Sequence, residues 1–246
     1  AAKRASASEI VAVIPFFGYA RQDRKEGSRG AIGAKAMADI LSAVGINRLI
    51  TIDLHAAQIQ GFFNTPVDHI NGYNVFSSYL KKITAGSYTI CSPDAGGVKR
   101  ASAMYNKFSQ YRTSDCDINF AMMSKRRDKP NSIESMELIG DVAGRNVILV
   151  DDMTDTAGTL MKAAEILKTK GALSVHAIVS HAVLSGNARQ NVIDNKNLDR
   201  LIISDSINAH NEDTSLDKIT VISCADAFAK AIKNVSIGKS LHEVFS

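Results

Sequence analysis

The chain has 246 residues, enough for one large domain or two medium ones, each with its own core. Hydrophobic residues make up 45% and charged residues 22%, a balance that excludes wholesale disorder. The formal charge of +4, with Lys and Arg dispersed and Trp absent, suits small anions and offers no basic stripe for nucleic acid.

The opening residues, AAKRASASEIVAVIPFF, lack Met and read as the end of a helix feeding a strand, so an upstream segment is expected. A charged loop follows, then a helix whose Ala34, Met37, Ala38 and Leu41 fall at i, i+3, i+4 and i+7. RLITIDLH is a second strand. The segment VDHINGYNVFSSYL carries a Gly-Tyr-Asn turn and is the best domain boundary. YTICSPDAGG is a third strand with its exit loop, and Ala101, Met104, Tyr105 and Phe108 then share one helix face. NVILVDD is a fourth strand, followed by a helix presenting Leu160, Ala163, Ala164 and Leu167. SVHAIVSHAVL, LDRLIISDSI and KITVISCADAFAKAIKNV add three strands, the last running into a terminal helix. No apolar run approaches the ~18 residues of a membrane span. Cys91, Cys116 and Cys224 form an odd set with no C-x-x-C spacing, which points to free thiols in a reducing cytoplasm.

Strands nearly continuous in apolar residues and alternating with helices indicate an α/β fold of mainly parallel sheets flanked by helices. In such sheets ligands sit beyond the carboxyl ends of the strands. The residues there are Arg21-Gln22-Asp23, Asp53-Leu54-His55, Asp94-Ala95-Gly96-Gly97 and Asp151-Asp152 with the turn after them. Asp155-Thr156-Ala157-Gly158-Thr159 stands where a helix begins, and small residues before unpaired N–H groups favour an anion such as phosphate. Ionised aspartates only accept hydrogen bonds, which suits the vicinal hydroxyls of a sugar. Neighbours on a strand point to opposite faces, so Asp151 and Asp152 converge on one ligand only if the strand ends there. SPDAGG reads as a second anion cradle, or as an ordinary left-handed turn satisfied by Gly. By itself SKRRDKPNS is a solvated cationic loop, with Pro130 and Asn131 discouraging regular structure.

The VDDxxDTxGT pattern resembles the phosphoribosyl pyrophosphate signature of the phosphoribosyltransferase fold. PFFGYARQDRK, DLHAAQIQGFF, SPDAGGVKRA, KRRDKPN and ILVDDMTDTAGT together, in this order, resemble the ribose-phosphate pyrophosphokinases regulated by phosphate and ADP, across essentially the whole chain. The resemblance implies two tandem phosphoribosyltransferase-like domains, 1–70 plus 225–246 and 71–224, the first truncated. It assigns Asp151, Asp152, Asp155, Thr156, Ala157, Gly158 and Thr159 to ribose 5-phosphate, and Asp94, Ala95, Gly96 and Gly97 to pyrophosphate. Arg21, Gln22 and Asp23 belong to ATP, and Lys125 and Arg127 to catalysis. His55 and Asp94 match magnesium ligands, although Mg²⁺ prefers oxygen donors. Asp53 and Asp68 stand at further metal positions, with Asn64 where the family commonly has Asp. The same resemblance implies phosphate and ADP as effectors, with Arg100 and residues 184–188 as candidate regulatory positions. It also implies a homo-hexamer of dimers, a cytoplasmic setting, and no nucleic-acid or membrane partner. A nucleobase phosphoribosyltransferase, which shares the ribose loop, and a non-catalytic regulatory paralogue are the competing readings. A dinucleotide-binding enzyme is not supported, since no G-x-G-x-x-G opens a strand–helix unit.

Overall fold

Residues 1–83, 85–126, 135–207 and 218–241 are described by the structure, a computed structural model. The chain divides into two compact units, Ala1–Asn74 with Cys224–Ser246, and Val75–Ser223.

In the first unit, β1 (Val11–Val13), β2 (Arg48–Ile52) and β3 (Val67–Ile70) form a parallel sheet in that order. Helix α1 (Gly33–Ala43) crosses from β1 to β2 and buries Ala34 and Ala38, with Met37 and Leu41 packed beside them. The i, i+3, i+4, i+7 spacing therefore marks the core face. A 3₁₀ helix over Ala57–Phe62 follows β2, and Phe63 meets Phe17 edge to face at a centroid distance of 5.7 Å. The segment expected to turn at Gly-Tyr-Asn instead opens helix α2 (Gly72–Leu80), after β3. Tyr73 and Val75–Phe76 continue a helical apolar pattern, and that outweighs the local turn signal of a single Gly–Asn pair.

The second unit is built on a seven-stranded sheet. Its strands are β4 (Gly86–Ser92), β5 (Cys116–Arg126), β6 (Ser135–Ile139), β7 (Asn146–Thr154), β8 (Ser174–Ala182), β9 (Arg200–Ser204) and β10 (Ile219–Ile222), in the spatial order β10-β9-β8-β7-β4-β5-β6. All neighbours run parallel except β6, which pairs antiparallel with β5. Helix α2 from Val75 onward, α3 (Val98–Tyr111), α4 (Gly158–Thr169) and α5 (Ala188–Asp194) lie in this unit, while α6 (Ala225–Ser236) belongs to the first. Alternate residues of the strands face opposite layers. Cys91, Val147, Leu149, Ala177 and Val179 pack with Leu160, Ala163, Ala164 and Leu167 of α4 in one buried cluster. Helix α3 lies against β4, β7 and β5, burying Ala101, Met104 and Phe108. Phe108 meets Tyr88 edge to face, and Tyr105 meets Phe120.

One feature of this order positions the site. The chain leaves β4 towards β5 on one side and leaves β7 towards β8 on the other. The strand order thus reverses between β4 and β7, and at such a reversal the two exit loops diverge and open a crevice at the carboxyl ends. Among the described residues no helix is long and apolar enough to cross a membrane.

Candidate active site

The loop after β4 is drawn tight by its own side chains. Ser92 Oγ donates to the Asp94 carbonyl at 2.6 Å, and the Gly97 N–H donates to Asp94 Oδ1 at 2.9 Å. These bonds set the Asp94 carboxylate at the head of α3. Gly97 has φ −80°, so a left-handed turn is not what requires glycine. A methyl there would stand 2.8 Å from Ser92 Oγ and 3.8 Å from the Val150 carbonyl. Glycine lets the loop close tightly on Ser92 and lie beside β7 at Val150. Ala95 and Gly96 are exposed at its tip.

The aspartates on β7 do not terminate their strand. Pairing with β4 runs from Tyr88↔Asn146 to Cys91↔Leu149, whereas β7 continues beside β8 to Thr154↔Ala182. Beyond Leu149 the Ser92–Gly97 loop takes the place of the strand. Both carboxylates nevertheless approach one group: Arg100 Nη1 lies 3.1 Å from Asp152 Oδ1 and 3.8 Å from Asp151 Oδ1. Asp151 Oδ1 also accepts the Asp152 N–H at 2.9 Å. Burial pushes Asp151 up to about 8, with the charge of Asp152 and a hydrogen bond to it adding to the shift. Arg100 opposes the shift and Asp94 adds to it. With its carboxyl raised this far, Asp151 favours the protonated form near neutral pH.

The turn from β7 into α4 passes through Ala157, a non-glycine residue at φ 60° that caps α4 without a side-chain hydrogen bond. The Ala157 side chain is buried, while Thr156, Gly158 and Thr159 are exposed around the helix start. The turn is stitched to the loop after β8. Thr154 O accepts the Val183 N–H at 2.9 Å and the Leu184 N–H at 3.4 Å, and Ser185 Oγ donates to the Asp155 carboxylate. Residues 184–188, read from sequence as regulatory, therefore include a direct support of the candidate phosphate loop. Arg100, read the same way, lies on the carboxylate pair.

Lys125 is placed by its backbone on β5, opposite Met136 of β6, rather than in a loop. Residues 116–124 are sheet-forming and extend the ladder into the cationic run. Arg127 lies outside the described residues, as do Pro130 and Asn131.

In the first unit, Arg21, Gln22 and Asp23 occupy the loop between β1 and α1, where Gln58 Nε2 donates to Asp23 Oδ2 at 3.2 Å. That bond ties the loop to the exit of β2. Asp53 is buried there at φ 43°, its N–H donating to the Ile70 carbonyl at 2.8 Å. The Leu54 N–H donates to His69 Nε2 at 2.9 Å, and His55 is exposed. Asp68 is not brought to Asp53 and His55. It sits opposite Ile50, and its carboxylate meets Arg48 Nη1 at 2.7 Å. Among the described residues no group of three or more His, Cys, Asp or Glu forms a ready-made metal cage.

Residues 1–45 match the model for the N-terminal domain of ribose phosphate pyrophosphokinase, and residues 100–246 match that for the phosphoribosyl synthetase-associated domain. Ribose-phosphate pyrophosphokinases of Vibrio parahaemolyticus and Porphyromonas gingivalis are each 47% identical over the whole chain, which spans 76% and 75% of their lengths. The chain belongs to the ribose-phosphate pyrophosphokinase family. Ribose-phosphate pyrophosphokinase A of Dictyostelium discoideum is 44% identical over 246 residues. The crystal structure of phosphoribosylpyrophosphate synthetase from Mycobacterium smegmatis superposes with a TM-score of 0.85 at 34% identity, covering 96% of this chain and 74% of that one. The pyrophosphokinase fold therefore holds both units. Within it, the loops noted from sequence follow neighbouring strands, β4 and β7.

Proposed function

We propose that the chain transfers the β,γ-diphosphate of ATP to ribose 5-phosphate. The anomeric 1-hydroxyl attacks the β-phosphorus, the bond from the β-phosphorus to the oxygen bridging it to the α-phosphorus breaks, and AMP leaves with that oxygen while the hydroxyl proton is released. Phosphoribosyl pyrophosphate is the product. The observation that carries this reading is that two anion-suited loops leave neighbouring strands, β4 and β7, at the strand-order reversal, with Arg100 from the helix after the first loop meeting the carboxylate pair on β7. Family membership selects the reaction.

Each group has a physical role in this reading. The N–H groups of Gly158 and Thr159, with the hydroxyls of Thr156 and Thr159, take the 5-phosphate at the start of α4. Asp151 and Asp152 accept the ribose hydroxyls, and Asp155, held by Ser185, keeps the turn in shape. Asp94 to Gly97 faces the diphosphate. Lys125 and Arg127 neutralise negative charge as it spreads over the phosphoryl oxygens, the main task in a transfer with little covalent work for the protein. Arg21, Gln22 and Asp23 serve ATP.

The donor chemistry fits magnesium. Asp94 offers a hard carboxylate oxygen beyond the one bound to Gly97, and Mg²⁺ commonly takes one or two carboxylates together with substrate phosphates and waters. Asp94 would hold the ion, which when bound shields the charge of the diphosphate. His55 is a further candidate within the first unit, and Asp53 a weaker one because it is buried. The proposal extends to phosphate and ADP as effectors, a hexamer of dimers and a cytoplasmic setting, each on the family resemblance.

Incubation with Mg-ATP and ribose 5-phosphate tests the reading. AMP should appear in step with phosphoribosyl pyrophosphate. Release of free pyrophosphate with a nucleobase as co-substrate would instead identify a phosphoribosyltransferase, and no turnover with intact folding would favour a regulatory paralogue.

A further inference from the structure

Arg100 stands in the first turn of α3, three residues after Gly97. A cation there opposes the helix macrodipole, so helix stability gives no reason for it. Its neighbour Lys99 points to solvent, but Arg100 is largely covered, with its side chain 17% exposed. The Asp152 side chain that it meets is 4% exposed. A carboxylate so buried demands a charged or hydrogen-bonded partner, and the first turn of α3 delivers one because β4 lies beside β7. The same nitrogen approaches Asp151 Oδ1, which also accepts the Asp152 N–H. Two contacts converging on one oxygen fix the plane of that carboxyl group.

We propose that Arg100 is a positioning residue for the sugar, clamping Asp151 and Asp152 in the one arrangement that accepts the ribose hydroxyls. The proposal rests on the assignment of that pair to ribose 5-phosphate. Arg100 also links the two halves of the crevice, since it follows the Asp94 loop directly in the chain and bonds the strand that carries the sugar site. One guanidinium nitrogen, Nη1, faces both carboxylates, and the rigid planar group holds it there, whereas a Lys ammonium is a point charge on a flexible stem. In this role Arg100 acts on ribose affinity through the aspartates.

Steady-state kinetics of the full chain with Mg-ATP and ribose 5-phosphate, supported by calorimetric titration of ribose 5-phosphate alone, provide the test. Arg100→Met should raise the KM for ribose 5-phosphate by about tenfold or more while the KM for ATP stays within about twofold. Arg100→Lys should recover part of that loss. Arg100→Met combined with Asp152→Asn should be no worse than the poorer single variant to within about twofold, because both changes dismantle one contact. Equal rises in both KM values, a fall in kcat at unchanged ribose 5-phosphate KM, or losses that multiply in the double variant would overturn the proposal. If Asp152→Asn raises the ribose 5-phosphate KM and neither Arg100 variant does, the proposal fails while the sugar assignment stands. If Asp152→Asn has no effect, both fall. Should Arg100→Met fold poorly, Arg100→Lys decides: a rise confined to ribose 5-phosphate supports the clamp, and unchanged affinity overturns it.

Discussion

The two ends of the seven-stranded sheet handle charge in opposite ways. At the amino ends, charges are paired and hydrogen-bonded. Arg145, just before β7, donates to Thr89 Oγ1 at 3.0 Å, to the Tyr88 carbonyl at 2.8 Å and to Asp117 Oδ2 at 2.7 Å, tying β4, β5 and β7 together. Asp199 receives Lys168 at 2.8 Å and the Val175 N–H at 2.7 Å. Burial alone would push Asp199 up, but those hydrogen bonds outweigh it and hold the acid below the usual carboxylate range. At the carboxyl ends, Asp151 and Asp152 crowd each other against Arg100, and Asp151 is driven upward. One end lowers the energy of the fold. The other stores like charge where a polyhydroxy ligand or a cation can relieve it, as binding and catalytic sites commonly do.

The contrast can be broken most sharply at Asp152. Asp152→Asn should weaken ribose 5-phosphate binding by on the order of a hundredfold, as two charge-assisted hydrogen bonds are lost, with a folded circular dichroism spectrum as control. At the opposite end, Arg145→Ala should cost about 1.5–3 kcal/mol in chemical denaturation and leave the KM for ribose 5-phosphate unchanged in the folded fraction. If Arg145 altered affinity and Asp152 altered only stability, the division of labour would be wrong.

Proton linkage sharpens the comparison. Asp151 has a folded pKa raised above its unfolded value, so its contribution to stability is intact below about pH 4 and is lost as pH rises through about 8. Asp151→Asn should therefore raise the melting temperature relative to the parent at pH 8, with the gain shrinking to nothing near pH 4, while ribose 5-phosphate affinity falls. Asp199→Asn should show the opposite sign, costing stability above about pH 4 and little below it. Thermal scans across pH measure both. The smallest effect is expected from Ser185→Ala, which removes one support of Asp155 and should raise the ribose 5-phosphate KM by about three- to tenfold.

Much of this arrangement was readable before any coordinates. The apolar faces of α1, α3 and α4, and the β4 and β7 exit loops, follow from periodicity and from small residues at helix starts. The β5–β6 pairing did not, because SMELI is a short edge strand of mixed character and KRRDK reads as solvated. The helix beginning at Gly72 was hidden by a strong local turn signal. SPDAGG was legible as a tight loop, but the reason for Gly97 was not: close approach to Ser92, rather than a positive φ, becomes visible only when β4 and β7 are neighbours. Arg100 and Ser185 were picked out from sequence as regulatory positions, but their contacts with Asp152 and Asp155 escaped for the same reason. Each acts on a residue at least 30 positions away, and nothing local to either marks the partner.

The interruption of the first unit has an outcome for biosynthesis. Residues Val75–Ser223 emerge from the ribosome as an unbroken segment, whereas α6, which buries Ala227, Phe228 and Ala231, is made only afterwards. Sheet β1-β2-β3 waits through the synthesis of the entire intervening segment for helix α6, so its strands are made before that segment and their unit is assembled only after it.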